Sequence, residues 1–357
     1  MNDRSKMPHR TTLRMLDANL NRLTEGLRVV EDVCRFHWDA TGFAAEFKAL
    51  RHDVFTALTG AGMRAGEFAR ARDIEGDVGR DMGSPEPAEL LPHVVALRNL
   101  QRSKEALRVL QECCRAVLPD AERALQEIRY RLYAEEKALT RLAHTDRHRE
   151  SLSQTHLYLL VIPEMVSGSL EEVVDAALSG GVDIVQLRSK GGSDRETLRL
   201  ARRLRELTAR AGALFVVNDR VDLAYLSHAD GVHLGQGDLS VAEARKIAPE
   251  ELAIGVSTHS VEQAEAAQRQ GADYIGVGPV FPTSTKENHE AVLGPDRAAE
   301  IVSRISVPAF AIGGIEASSL EHLARSGCRR VAIASAILRA PDPETTARAY
   351  RAALVEP

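Results

Sequence analysis

A C-terminal (β/α)8 TIM barrel preceded by an all-α domain is the architecture the sequence predicts, and three observations predict it. The first ~140 residues carry apolar residues at helical spacing with almost no β-rich runs. From His156 onward, short apolar runs of strand length alternate with amphipathic stretches. At 357 residues the chain is long for one domain and comfortable for two.

In the helical half, Leu16, Leu20, Leu23, Leu27 and Val30 recur every three or four residues and make one apolar stripe. The segment also repeats. Asn19-Leu20-Asn21-Arg22, Glu25, Leu27-Arg28-Val29 and Cys34-Arg35 return as Asn99-Leu100-Gln101-Arg102, Glu105, Leu107-Arg108-Val109 and Cys114-Arg115. More loosely, Leu50-Arg51 is answered by Ile128-Arg129. The reading is a duplicated helical hairpin with pseudo-two-fold symmetry. A charged, Gly-punctuated loop over 72–81 separates the copies, and a polar Arg- and His-rich stretch follows the second. The predicted domains are therefore 1–145, all-α; 146–155, linker; and 156–357, barrel.

Candidate strands in the second half are 156–162, 182–188, 214–219, 231–234, 253–258, 274–280, 308–314 and 330–335. Amphipathic stretches at 194–211, 261–270 and 316–326 lie between them. Eight β/α units in about 200 residues fit a closed barrel better than an open doubly wound sheet, the alternative that alternation alone leaves standing.

Bulk properties exclude several function classes. A net charge of −5 and a pI near 6.2 provide no basic face for nucleic acid or an anionic membrane. No apolar stretch approaches the ~20 residues needed to span a bilayer. Residues 1–10 are polar and lack a signal-peptide core. Cys34, Cys113, Cys114 and Cys328 form no Cys-x-x-Cys pair, so disulfides and thiolate zinc are not expected. A reducing cytoplasm fits these features, neither nucleic acid nor a membrane is a favoured partner, and homo-oligomerisation is possible but not specified.

Five polar clusters follow the apolar runs: residues 186–190, 218–220, 236–238, 257–259 and 283–286. In a parallel barrel all five belong to the mouth formed by the C-terminal strand ends. Gln186, Arg188 and Lys190 alternate toward one side, a spacing that suits a diphosphate clamp or, equally, surface ion pairs. Asp219 and Asp238 could each cap a helix. Beside Arg188, Lys190 and Asn218, the pair instead matches what Mg²⁺ takes, one or two carboxylates with the remaining ligands from water. Ser257 could donate to phosphate or serve as a cap. His233 and His259 read as structural or peripheral, because no ordered Ser/His/Asp set surrounds them. Thr283, Ser284, Thr285 and Lys286 follow a rigid Pro-containing segment and form a second anion contact. Gly313-Gly314 and Ala334-Ser335 fall where barrels commonly bind phosphate through backbone N–H groups, although Gly-Gly could serve close packing alone. A diphosphate site and a phosphate site in one mouth suggest a transferase joining a diphosphate-activated group to a phosphorylated acceptor.

Residues ~155–350 resemble thiamine-phosphate synthase, a (β/α)8 barrel family. The likeness runs through Val185 to Lys190, Val217 to Ala224, Gly231 to Leu239, Gly255 to Ser257, Gly278 to Lys286 and Ala311 to Ile315. The resemblance implies Mg-assisted coupling of a hydroxymethylpyrimidine diphosphate to a thiazole phosphate, giving thiamine phosphate and pyrophosphate by dissociative displacement. It implies that Gln186, Leu187, Arg188, Ser189, Lys190, Asn218, Ser257 and Lys286 bind the pyrimidine diphosphate. Asp219 and Asp238 would hold Mg²⁺, and Thr283, Ser284, Thr285, Gly314, Ala334 and Ser335 would bind the thiazole phosphate. Arg188, Lys190, Ser257 and Lys286 would carry the catalytic load. The sequence departs from the family at Gly237, where Glu is usual, and at Ser189, where Glu is frequent, which implies tuning of the site.

A related thiazole tautomerase barrel has no diphosphate or metal to hold, so the cations and the Asp pair argue against it. They argue equally against a non-catalytic ligand sensor. The first 140 residues resemble the N-terminal extension of some of these synthases, suggested to be a hydroxymethylpyrimidine-phosphate kinase. A structural or dimerising module is the alternative, since no Walker-type Gly-rich loop is present.

Overall fold

Parallel strands bury both faces and therefore need a helix layer outside and a filled interior within. In the computed structural model, which describes residues 7–64, 66, 70–72, 91–283 and 291–355, both layers are present. Strands β1 (Leu157–Val161), β2 (Ile184–Leu187), β3 (Leu214–Asn218), β4 (Gly231–Leu234), β5 (Ala253–Thr258), β6 (Tyr274–Val277), β7 (Ala309–Ile312) and β8 (Val331–Ile333) pair in chain order and close into a barrel. Closure is the parallel pairing of β1 with β8, where Tyr158 lies opposite Ala332. An open sheet is thereby excluded. Most of the strands are shorter than their apolar runs. Past Leu187, for example, Arg188 N still donates to Val161 O at 2.9 Å, so extended backbone outlasts the ladder.

The period of two sorts side chains by layer. Val185, Leu187, Phe215, Val217, Val232 and Ile254 pack outward against the helices. Tyr158, Leu160, Ile184, Val216, Tyr274, Phe310 and Ala332 fill the interior, with Leu152 joining them. Glycine makes room for a large interior ring: a Cβ on Gly255 would sit 2.1 Å from Tyr274 Cζ, whereas one on Gly276 would make only ordinary contact with His233, at 3.4 Å from Cε1.

Three aspartates at the N-terminal ends of even-numbered strands secure the opposite face. Asp183 Oδ2 accepts from Leu157 N at 2.9 Å, Asp230 Oδ2 from Phe215 N at 2.8 Å and Asp273 Oδ2 from Ile254 N at 2.7 Å. Each carboxylate also pairs with an arginine, namely Arg351, Arg205 and Arg245. Around the barrel run helices α5 (Leu170–Ser179), α6 (Asp194–Ala211), α7 (Val221–Leu226), α8 (Val241–Ile247), α9 (Val261–Arg269), α10 (Gly294–Ser303), α11 (Ala317–Arg325), α12 (Ser335–Leu338) and α13 (Pro343–Val355). The capping box of Ser193 with Glu196 starts α6, and left-handed Gly212 ends it.

By contact density the chain divides into residues 1–143 and 144–357. The first unit holds α1 (Met7–Phe36), α2 (Thr41–Gly60), α3 (Pro92–Val117) and most of α4 (Glu122–Ser153). Residues 146–153, expected to belong to a linker, are helical, because α4 runs on to Ser153. The duplication is visible in the packing. Leu16, Leu23, Leu27 and Val30 are essentially fully buried, as are Leu100, Leu107 and Leu110 of the second copy. Asn19 Nδ2 donates to Met15 O at 2.8 Å, and Asn99 Nδ2 donates to Val95 O at 2.9 Å. Arg22, Glu25 and Arg28 are exposed, and so are Arg102, Glu105 and Arg108. Of the loop over 72–81, only Arg72 lies within the described residues; it forks onto Asp17 at 2.6 and 2.8 Å. No described helix is long and apolar enough to cross a membrane.

α1 and α3 approach closely at Gly26, where an added Cβ would lie 2.4 Å from Ser103 Oγ and 3.0 Å from Asn99 O. Alanine in a helix interior ordinarily gains up to about 1 kcal/mol over glycine. Overpacking a helix contact typically costs about 1–3 kcal/mol, so the clash should win. Gly26→Ala is expected to lower stability by about 1 kcal/mol in urea melts of the full chain. Adding Ser103→Ala should recover part of the loss, whereas Gly42→Ala, with nothing within 4 Å, should cost nothing.

Candidate active site

The mouth is built from the C-terminal ends of β2 to β8 and the loops that follow. Gln186 shares the inward face of β2 with Ile184; it is 2% exposed, and its Nε2 has no hydrogen-bond partner among the described residues. A buried amide left unpaired is costly, and here it faces the mouth side of the interior. Leu187, expected among the binding residues, points the other way and is 1% exposed in the helix–strand core, as the period of two requires. Arg188 and Ser189 are half-buried and Lys190 is exposed. Among the described residues neither Arg188 nor Lys190 forms an ion pair. Ser189 Oγ donates to Gly191 O at 3.0 Å, which tightens the loop after β2.

Asn218 ends β3, and Asp219 follows with φ +62°, a left-handed conformation that Asp tolerates better than most residues. Asp219 N donates to His233 O at 2.8 Å, so the β3–β4 ladder holds the turn. Asp238 closes a turn of its own, its Oδ2 accepting from Gly235 N at 2.7 Å. Asp238 is near enough to Asp219 to act on its carboxyl. Burial first, and then Asp238, push the Asp219 carboxyl up from 3.8 to about 6, while Arg188 and Lys190 oppose the rise. Two crowded hard-oxygen donors beside free cations fit a divalent ion that keeps water ligands and uses only two protein carboxylates. Among the described residues no set of three His, Cys, Asp or Glu is gathered, so an all-protein cage is not available.

Ser257, near the end of β5, carries a contact that the sequence did not disclose. His233 Nε2 lies 3.0 Å from its Oγ, His233 Nδ1 lies 3.2 Å from Tyr274 Oη, and Tyr274 Oη lies 3.0 Å from Tyr158 Oη. One polar row thus runs from the barrel centre to Ser257. Only the inter-strand register reveals it, since Ser257 lies opposite Gly276 and His233 opposite Gly255. His259 bonds through Nδ1 to Gly278 O and so anchors the turn after β6.

That turn packs tightly. Val280 N donates to Ile312 O at 2.9 Å and Phe281 N to Gly313 O at 3.0 Å. Gly313 and Gly314 have φ of +100° and +61°, and a Cβ on either would collide with the segment 279–282. Close packing therefore accounts for both glycines irrespective of any ligand. Thr283 is half-buried at the end of this segment; Ser284, Thr285 and Lys286 lie outside the described residues. Ala334 precedes the short helix α12, which begins at Ser335.

Comparison with known proteins supplies the family. Residues 157–337 match the family model described as Thiamine monophosphate synthase, and residues 14–138 match the ThiD2 family model. A protein named thiamine-phosphate synthase from Gloeobacter violaceus is 44% identical over 335 residues, covering 94% of each chain. Another of that name from Thermosynechococcus vestitus is 40% identical over 336 residues, covering 94% of this chain and 93% of its own. Among solved structures, a thiamine phosphate pyrophosphorylase from Pyrococcus furiosus aligns with a TM-score of 0.52 at 36% identity, covering 58% of this chain and 96% of that one. With a family model spanning half of its length and relatives matched almost end to end, this chain belongs to the thiamine monophosphate synthase family.

Proposed function

We propose that the barrel joins a hydroxymethylpyrimidine diphosphate to a thiazole phosphate, releasing pyrophosphate and forming thiamine phosphate, and that the mouth described above is where it does so. The observation that carries this reading is that Arg188 and Lys190, which form no ion pair among the described residues, stand close enough to act on Asp219, as Asp238 does. Cations without partners suit a polyanion, and a carboxylate pair beside them suits a divalent counter-ion. Membership in the family supports the same substrates.

In the proposed reaction the C–O bond between the pyrimidine methylene and the diphosphate breaks, and its electron pair leaves on the diphosphate oxygen. The ring nitrogen of the thiazole then gives its lone pair to the methylene, forming the new C–N bond. No proton need be removed from either partner at that step, so the step asks no general base of the site. Arg188 offers a fork of donors and Lys190 a point charge to the departing diphosphate. Asn218 and the Ser257 hydroxyl add neutral hydrogen bonds, with His233 fixing the Ser257 rotamer. Gln186, with its free Nε2, is assigned to the pyrimidine ring. Magnesium held by Asp219 and Asp238 would supply further counter-charge to the leaving group. Thr283, Ser284, Thr285, Gly314, Ala334 and Ser335 are assigned to the thiazole phosphate and Lys286 to the diphosphate, on family resemblance. A cytoplasmic setting is part of the same proposal.

For residues 1–145 the resemblance supports a hydroxymethylpyrimidine-phosphate kinase that would feed the barrel, with a structural or dimerising role as the alternative. Full-length chain given ATP and hydroxymethylpyrimidine phosphate should form the diphosphate; no product would leave the structural role.

Two further outcomes are expected. With both substrates and Mg²⁺ present, wild-type chain should release pyrophosphate stoichiometrically with thiamine phosphate, and Arg188→Ala or Lys190→Ala should lower kcat/KM at least about 100-fold. No pyrophosphate from wild type would sink the proposal. The second outcome follows from Asp219. Its carboxyl binds a proton more tightly in the folded chain than in the unfolded one, so ionising it costs the fold stability as pH rises from 3.8 to about 6. In EDTA, Asp219→Asn should therefore melt higher than wild type at pH 8, by about 2–4 °C. The difference should vanish near pH 4. The same variant should lose Mg²⁺ activation, and in wild type the Mg²⁺ requirement should rise as pH falls below about 6.

A further inference from the structure

Lys190 and Asp219 lie on adjacent loops, after β2 and after β3, and each loop has a local hydrogen bond of its own, Ser189 Oγ to Gly191 O in the first and Asp219 N to His233 O in the second. The first runs through Gly191 and Gly192, the latter at φ +84°, and offers no side chain at either position to anchor it. The second contains the left-handed Asp219. Between them stands Arg220. Its Nη1 donates to Asp194 Oδ1 at 2.7 Å and its Nη2 to Asp194 Oδ2 at 3.1 Å. Its Nε donates to Asp222 Oδ1 at 2.9 Å and its Nη2 also to Asp222 Oδ2 at 2.6 Å. Asp194 opens α6 and Asp222 lies in the first turn of α7, so one guanidinium clasps the roots of both helices. A cavity of about 240 Å³ lies elsewhere in this unit, near Tyr274; the one beside the clasp, about 150 Å³, is lined by Lys190, Gly191, Gly192, Asn218, Asp194 and Arg220 among others.

We infer that Arg220 is a positioning residue for the diphosphate half of the site: its two-carboxylate clasp sets the Lys190 loop against the Asp219 turn. The inference rests on the reading given under Proposed function. Direct contact with substrate is not its role, because both edges of the guanidinium are already committed to carboxylates. The clasp is largely exposed, with side-chain exposures of 44% for Arg220, 71% for Asp194 and 54% for Asp222. Exposed pairs contribute little to global stability, yet paired forks of this kind fix geometry closely. A misplacement of about 1 Å in a reacting site can cost about 100-fold in rate. The clasp should therefore affect the site far more than the fold.

The test uses full-length chain carrying Arg220→Ala, Arg220→Lys, Asp194→Asn, or Arg220→Ala with Asp194→Asn. Inorganic pyrophosphate with Mg²⁺ serves as the binding probe, beside steady-state kinetics for each substrate. Arg220→Ala should weaken pyrophosphate binding and raise KM for the pyrimidine diphosphate by about 10- to 100-fold. KM for the thiazole phosphate should stay within about 2-fold and the melting temperature within about 2 °C. Arg220→Lys should not restore binding, since a point charge cannot grip two carboxylates. Asp194→Asn should reproduce much of the loss, and the double variant should be no worse than Arg220→Ala alone. Fully additive losses would assign Arg220 to the substrate directly and overturn the clasp. So would unchanged pyrophosphate binding in Arg220→Ala while wild type turns over. Wild-type chain that couples no substrates would overturn the functional reading, and the clasp with it.

Discussion

The parallel register that brings β8 back beside β1 is the constraint on which the barrel unit depends. Once the sheet closes, alternate residues on every strand must face a small interior, and volume has to be shared between neighbours. Tyr274 occupies space that Gly255 vacates, and His233 fits beside Gly276. Tyr158, Tyr274 and Phe310 then meet edge-on or tilted, with centroids 5.2 to 6.1 Å apart. Buried hydroxyls in such a core must be paired, and the Tyr158–Tyr274–His233 row pairs them. The row ends on Ser257, so packing in the barrel centre and orientation at the mouth are one arrangement.

The two ends of the barrel handle charge differently. At the N-terminal face Asp183, Asp230 and Asp273 accept backbone N–H groups and are each neutralised by an arginine. Charge there is spent internally and helps to set register. At the C-terminal face Arg188 and Lys190 form no ion pair among the described residues, and Asp219 is held at a raised pKa beside Asp238. Since half-buried charge is normally paired, the imbalance at that end supports the charged ligand proposed for it. It also explains why the proposed chemistry needs little proton transfer: the mouth is organised to neutralise charge.

Much of the fold was legible because strand and helix periods differ and the barrel obeys both. The strands at 231–234 and 253–258 and the helix at 194–211 lie where the apolar pattern sets them. Residues 146–153, read as linker, are helical, and their helix is anchored by isolated contacts and not by a stripe. Leu152 enters the interior core, and His148 Nε2 meets Glu251 O at 2.8 Å, leaving no period to detect. Leu187, named with its motif, is turned outward by the alternation of β2. At the mouth, residue types foretold the cations and carboxylates. They could not foretell the Ser257–His233 bond, which depends on which strands become neighbours and on their stagger.

The helical unit makes the same point through its symmetry. Apolar positions of the two copies match closely, because both pack across the α1–α3 contact that includes Gly26 and Ser103. Polar positions have diverged. Glu31, 5% exposed, accepts from Arg51 Nη2 at 2.8 Å. Its counterpart Gln111 is 1% exposed, with no partner for Oε1 among the described residues. Removing one member of a buried pair is ordinarily among the more damaging changes a core can suffer, at about 3–5 kcal/mol. Exchange of Glu for Gln avoids the worst of that cost by removing the charge while keeping the shape. Duplication thus preserved what packing demands and released what it does not, so the two halves of the unit are equivalent as scaffold and distinct as chemistry.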